Sequence, residues 1–229
     1  MRTIGLLGGM SWESTAEYYR LANQLVAARL GGLHSADLVI RSVDFAVVEE
    51  LQVRGAWDEA GMLLADAARG LEAAGADLLV LCTNTMHLVA EDVQAAVEIP
   101  LLHLADATAA AVRAAGLERV GLLGTAFTME QPFYRDRLAS HGLGVSVPGP
   151  DDRAEVHRII YDELCRGVVA PASRAAYREV IGRLVADGAE GIILGCTEIE
   201  LLVGAADAEV PLFPTTRIHV EAAVDAALA

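Results

Sequence analysis

Apolar and polar residues fall along this chain in blocks of two kinds. Short runs with almost no polar interruption, such as "IGLLG" at 4–8, "LLVLC" at 78–82, "VGLLG" at 120–124 and "GIILGC" at 191–196, have the length and aliphatic content of strands buried on both faces. "LVIRSV", "IPLLHL", "LGVSV" and "VPLFP" read as further, weaker strands. Between them lie longer segments whose apolar residues recur every three or four positions, the spacing of a helix with one buried face. The clearest are "STAEYYRLANQLVAARLGG" at 14–32, "WDEAGMLLADAARGLEAAGA" at 57–76, "DDRAEVHRIIYDELCRG" at 151–167 and "SRAAYREVIGRLVADGA" at 173–189. Ser14 with Glu17 three residues on has the form of a capping box, and Gly31-Gly32 the form of a helix stop. Bounded apolar strands alternating with amphipathic helices predict an α/β fold whose sheets are mostly parallel and covered on both faces.

The pattern runs through twice. "VGLLGT" at 120–125 matches "IGLLGG" at 4–9, and "GIILGCTEIELL" at 191–202 matches "DLLVLCTNTMHL" at 77–88. Gly8 and Cys82 are 74 positions apart, Gly124 and Cys196 72. Two features recurring in the same order at nearly the same interval predict two pseudo-symmetric α/β lobes with a cleft between them. The expected boundaries are 1–103 for the first lobe and 104–205 for the second, with the closing strand and helix, 206–229, packing back onto the first.

Each repeat ends a strand in Cys-Thr, and in open α/β sheets sites form beyond the carboxyl ends of strands. A thiol just before a helix start gains from the free N–H groups and the positive dipole end, which favour thiolate. Thr83, Asn84 and Thr85, with Thr197 opposite, add hydroxyl and amide donors that could hold a carboxylate. Two sulfurs, one thiolate and one thiol, could remove a proton from one face of a carbon and return one to the other. Cys165 has no partner in the repeat and reads as packing.

Composition narrows the field. Apolar residues are 54% of the 229 and charged residues 21%, too apolar for a disordered chain. No run approaches the ~20 apolar residues that cross a bilayer, and "MRTIGLLGG" is too short for a signal peptide. A cytoplasmic location is expected. The formal charge of −15, with no basic cluster, argues against nucleic acid as a partner. All 17 basic residues are arginine, which reads as composition bias. The three cysteines do not form a disulfide framework, and the six scattered histidines offer no metal-ligand spacing. "GLLGGM" lacks the G-x-G-x-x-G spacing of a dinucleotide turn.

With "GLLGGMSWEST" at 5–15, "CTNTMH" at 82–87, "LLGTAFTM" at 122–129 and "GCTEIELL" at 195–202, the chain resembles the cofactor-independent aspartate/glutamate racemase superfamily, its aspartate racemase branch most of all. The resemblance implies racemisation of a dicarboxylic amino acid with no cofactor, neither pyridoxal phosphate nor metal, usually in a homodimer. It makes Cys82 and Cys196 the two bases, with Cys196 acting on the L-enantiomer and Cys82 on the D. It places Gly9, Met10, Thr83, Asn84, Thr85, Thr125 and Thr197 around the substrate and Gln52 near the mouth of the site. Arg166, in "ELCRG", stands where the branch commonly has a lysine, and would hold a side-chain carboxylate. Arg54 is a weaker candidate, and "FAVVEELQVRGAW" a possible lid. Two other readings remain: a maleate isomerase-like enzyme using one Cys as nucleophile, and a non-catalytic small-molecule binding protein.

Overall fold

The computed structural model describes all 229 residues, which divide into two compact units, 1–104 with 219–229, and 105–218. In the first unit the order is β1 (Ile4–Gly8), α1 (Trp12–Leu30), β2 (Leu38–Ser42), α2 (Phe45–Arg54), α3 (Trp57–Ala73), β3 (Leu78–Leu81), a 3₁₀ turn (Thr85–Val89), α4 (Ala90–Ala95) and β4 (Leu101–Leu102). The second unit holds α5 (Leu104–Ala114), which starts one residue earlier, then β5 (Arg119–Gly124), α6 (Ala126–Glu130), α7 (Pro132–Ser140), β6 (Gly144–Ser146), α8 (Pro150–Asp162), a 3₁₀ turn (Leu164–Arg166), α9 (Pro171–Ala186), β7 (Gly191–Gly195), α10 (Ile199–Leu202), a 3₁₀ turn (Ala205–Asp207) and β8 (Leu212–Pro214). Helix α11 (Thr215–Leu228) closes the chain.

Each unit has one four-stranded sheet, ordered β2-β1-β3-β4 and β6-β5-β7-β8, with all pairings parallel. The two orders are the same pattern, so the sequence repeat is a repeat of topology. β1, β3 and β7 are buried along their whole length, as strands covered by helices on both faces must be. Helix α3 turns Ala60, Leu64, Ala67, Ala68 and Leu71 onto its sheet, and these join Leu7, Leu79 and Leu81 in one apolar cluster. On the other face, Tyr18, Leu21 and Val26 of α1 meet Val220, Ala223 and Val224 of α11 over Ile4, Leu6 and Val80. No helix is long and apolar enough to cross a membrane.

Two expectations need correction. Helix α1 begins at Trp12, and Ser11, not Ser14, is its N-cap; the Ser14 N–H donates to Ser11 Oγ at 3.3 Å. Segment 206–229 does not go to the first unit as a piece, because β8 pairs with β7 as the fourth strand of the second sheet. Only 219–229 groups with the first unit. The expected lid segment is mostly the regular helix α2, capped by Asp44 Oδ1 on the Ala46 N–H and closed by Gly55 at φ 67°.

Candidate active site

In each sheet the chain leaves its first strand toward one edge and later returns on the other side of it. The gap between β1 and β3, like that between β5 and β7, is therefore a topological switch point, where open α/β sheets leave a crevice at the carboxyl ends. Residues leaving those strands are Gly8-Gly9 and Cys82 in the first unit, and Gly124-Thr125 and Cys196 in the second.

The first crevice is shaped by glycine. Gly9 has φ 95°, and a Cβ there would sit 2.2 Å from the Val43 carbonyl oxygen. At Gly8 a Cβ would strike the Thr15 side chain at 2.4 Å. Thr15 uses that closeness, since its Oγ1 accepts from the Gly9 N–H at 2.8 Å. Met10 follows, buried. Cys82 continues the sheet: its N–H donates to the Leu7 carbonyl at 2.9 Å, and its own carbonyl accepts from Ser14 Oγ at 3.3 Å. Its Sγ is enclosed, 3.7 Å from the Val80 carbonyl. Thr83, Asn84 and Thr85 then turn the chain into the 3₁₀ segment, Asn84 and Thr85 being buried.

Two further side chains fix that turn. His87 Nε2 accepts from the Leu104 N–H at 3.2 Å, so its proton is on Nδ1, which donates to the Thr83 carbonyl at 2.7 Å. His87 thus holds the residue after the cysteine as a neutral imidazole. Gln52, only 4% exposed, donates from Nε2 to Met86 Sδ at 3.0 Å, while its Oε1 has no hydrogen-bond partner.

In the second crevice Thr125 caps α6, its Oγ1 accepting from the Thr128 N–H at 3.3 Å. Gly124 and Gly195 sit side by side in register, and a Cβ on Gly195 would lie 2.8 Å from the Leu123 carbonyl. Cys196, half-buried, donates from Sγ to Glu198 Oε2 at 2.9 Å. Thr197 Oγ1 accepts from Thr216 Oγ1 at 3.0 Å, and Thr215 Oγ1 donates to the Leu194 carbonyl at 2.8 Å.

Neither thiol sits at a long helix. The segments that follow are a five-residue 3₁₀ turn and a four-residue helix, too short for the expected dipole to dominate. Burial pushes the Cys82 thiol well above its ordinary value. Burial also raises Cys196, and the charge and hydrogen bond of Glu198 raise it further. The expectation of helix-stabilised thiolates is corrected: burial, not a helix start, dominates the setting of both sulfurs and favours their thiol forms.

The structure gathers Gly9, Met10, Gln52, Thr83, Asn84 and Thr85 around the Cys82 end of the first sheet, and Thr125 and Thr197 around the Cys196 end of the second. Arg166 lies on the 3₁₀ turn Leu164–Arg166, which packs against α10 just beyond Cys196. Its side chain is 71% exposed, the guanidinium 3.9 Å from Asp162. Arg54 is also at the surface, between Glu50 and Glu59. Glu198, His87, Thr215 and Thr216 escaped the sequence reading. Glu198 had a signal, since it occupies in "CTEI" the place of Asn84 in "CTNT".

Residues 7–223 match the family model described as Asp/Glu/Hydantoin racemase. The chain belongs to this family. It is 56% identical over the full length of both chains to a protein from Yersinia pestis provisionally described as an Asp/Glu racemase, with a TM-score of 0.95. An aspartate racemase homologue from Pyrococcus horikoshii is 34% identical, again over both full chains, with a TM-score of 0.88. The broad specificity amino-acid racemase RacX of Bacillus subtilis is 22% identical over 99% of this chain and 98% of its own length. The matched residues span both units.

Proposed function

We propose that this protein is a cofactor-independent amino-acid racemase that interconverts L- and D-aspartate, with glutamate as a second substrate. One observation carries the reading: the same Cys-Thr pair leaves the same strand of two sheets with the same strand order, at the switch point of each. Membership of the Asp/Glu/Hydantoin racemase family supports it, as does the similarity to an aspartate racemase homologue.

The mechanism is a two-base exchange. One sulfur, as thiolate, takes the α-proton and becomes a thiol. The electron pair left on the α-carbon is delocalised into the carboxylate. The other sulfur, as thiol, gives its proton to the opposite face and becomes a thiolate. The reverse reaction starts from this exchanged state, so no further acid or base is consumed. The donors at Thr83, Asn84, Thr85, Thr125 and Thr197 hold substrate oxygens, and the Gly9–Met10 turn shapes the crevice wall. Gln52 Oε1, an acceptor that lacks a donor, takes a hydrogen bond from the α-ammonium group. Arg166, on the turn against α10, is the candidate for the substrate's side-chain carboxylate.

The experiment is racemisation of L-aspartate, followed by circular dichroism without added pyridoxal phosphate or metal. Cys82→Ser and Cys196→Ser are each expected to lose at least a hundredfold in rate. Full activity in both variants would sink the mechanism. We also take the working form to be a cytoplasmic homodimer. Trp12, Leu33, Val53 and Met62 of the first unit are large apolar side chains left exposed and available to such a contact. Sedimentation is expected to give about twice the 24.1 kDa chain mass; a species of single-chain mass at micromolar concentration would contradict it.

A further inference from the structure

The two repeats differ chemically two residues beyond each cysteine. After Cys82 stands Asn84, an amide that carries no charge. After Cys196 stands Glu198, 9% exposed, with Oε2 2.9 Å from Sγ. The backbone N–H of Glu198 also points at the sulfur. A short turn, Cys196-Thr197-Glu198, holds the pair, with the Ile199 N–H donating to the Cys196 carbonyl at 3.1 Å. A mobile surface side chain would not be fixed this way.

We propose that Glu198 is a positioning residue that keeps Cys196 in its thiol form and so sets one limit of the pH range of activity. The inference rests on the two-base reading above for its kinetic consequence, though not for its chemistry. A thiol can donate its proton to the carboxylate. A thiolate in its place would face a negative charge at hydrogen-bond distance, in surroundings where little water intervenes to screen it. The other titratable groups facing Cys196 add no opposing charge: Cys165 on the 3₁₀ turn after α8, and buried Tyr177 on α9. Glu200, one position past Ile199, is turned to the Thr216 N–H at 3.3 Å.

Two-base exchange needs one thiol and one thiolate. Activity is therefore confined to the pH range in which one sulfur has lost its proton and the other has kept it, and Glu198 raises the end of that range that Cys196 sets. The carboxylate itself keeps its charge through the cycle; the proton it supports is the one that Cys196 transfers. The effect cannot favour one enantiomer in kcat/KM. Racemisation has an equilibrium constant of one, so kcat/KM is the same in both directions for any variant. The effect belongs to the pH profile.

The first readout is independent of activity. Alkylation by iodoacetamide is followed across pH by peptide mass spectrometry on the wild type, Glu198→Gln and Glu198→Asp. In Glu198→Gln the midpoint for Cys196 is expected to fall by about one pH unit or more, while that for Cys82 stays in place. Glu198→Asp, which keeps the charge, restores most of the shift. The second readout is the pH profile of kcat/KM, in which the limb that follows the Cys196 midpoint is expected to move down with it. An unchanged Cys196 midpoint in Glu198→Gln, or equal midpoints in the two variants, would overturn the inference. A shifted midpoint in a wild-type protein that racemises nothing would defeat the two-base reading and leave the thiol–carboxylate coupling standing.

Discussion

At Gln52 a buried carbonyl oxygen lacks a donor, an arrangement that costs about 1–3 kcal/mol when nothing satisfies it. The proposed substrate supplies the donor. Gln52→Leu is therefore expected to raise KM about tenfold, the equivalent of one hydrogen bond, with little change in kcat. The melting temperature should hold or rise, because an apolar group of similar shape carries no unpaired oxygen. Steady-state kinetics and thermal denaturation check both halves of this prediction; an unchanged KM would remove Gln52 from the substrate's surroundings. At this scale the sequence was legible where chemistry repeats. Cys82 and Cys196 are found by comparing the chain with itself, and their neighbouring threonines come with them. It was illegible where a side chain acts through three-dimensional closeness. His87 reaches back to the Thr83 carbonyl and forward to the Leu104 N–H, and nothing in "TMH" announces either contact. At Arg166 the pattern "ELCRG" marked a position but no direction: the turn before Gly167, at φ 72°, leaves the side chain exposed beside Asp162.

Among the elements, long amphipathic helices and buried strands were readable because each carries its period over many residues. Short ones were not. "TMHLVAEDVQAAV" has one helical period, yet the chain makes a 3₁₀ turn and then α4, since His87 binds the carbonyl of the residue four positions back with its ring. "TMEQPFYRDRLASHG" breaks at Gln131, ahead of Pro132, whose ring is incompatible with a continuing helix at the residue before it. Helix α11 carries a contact with a measurable consequence. His219 is fully buried, with Nε2 donating to the Leu102 carbonyl at 2.8 Å and Nδ1 accepting from Tyr18 Oη at 3.0 Å. Burial lowers its pKa to about 4, below the ordinary value near 6.5. The folded state thus binds this proton less readily than the unfolded chain. Its contribution is whole above about pH 6.5, declines as the pH falls, and is lost once pH passes below about 4. The difference is on the order of 3 kcal/mol. Denaturant titrations between pH 7 and 4 are expected to show this decline, and His219→Gln to flatten it while keeping a donor for Leu102. An equal slope in the variant would place the acid sensitivity elsewhere.

On the scale of the whole molecule, the two units are one topological plan used twice, and the repeat in the sequence foretold it. The misplacement of 206–218 has a physical origin. β8 is three residues long and lies at a sheet edge, so "VPLFP" carries no signal of which sheet it joins. The repeat itself held the answer, because "IPLLHL" occupies the matching position in the first half as β4. Doubling also explains how one chain can present two similar sulfurs with dissimilar partners. The plan places a cysteine at each switch point, and the substitution of Glu198 for the Asn84 position makes the two unequal. The most direct test of paired-cysteine racemisation is the fate of the α-proton. L-aspartate, then L-glutamate, is incubated with the protein in D₂O without cofactor, and the α-carbon is followed by proton NMR beside Cys82→Ser and Cys196→Ser. Two-base exchange predicts loss of the α-proton signal together with loss of optical activity; racemisation is abolished in either variant, while exchange survives only where the sulfur facing the L-enantiomer's proton remains. Racemisation that persists in either variant, or no exchange with either amino acid in the wild type, would contradict it.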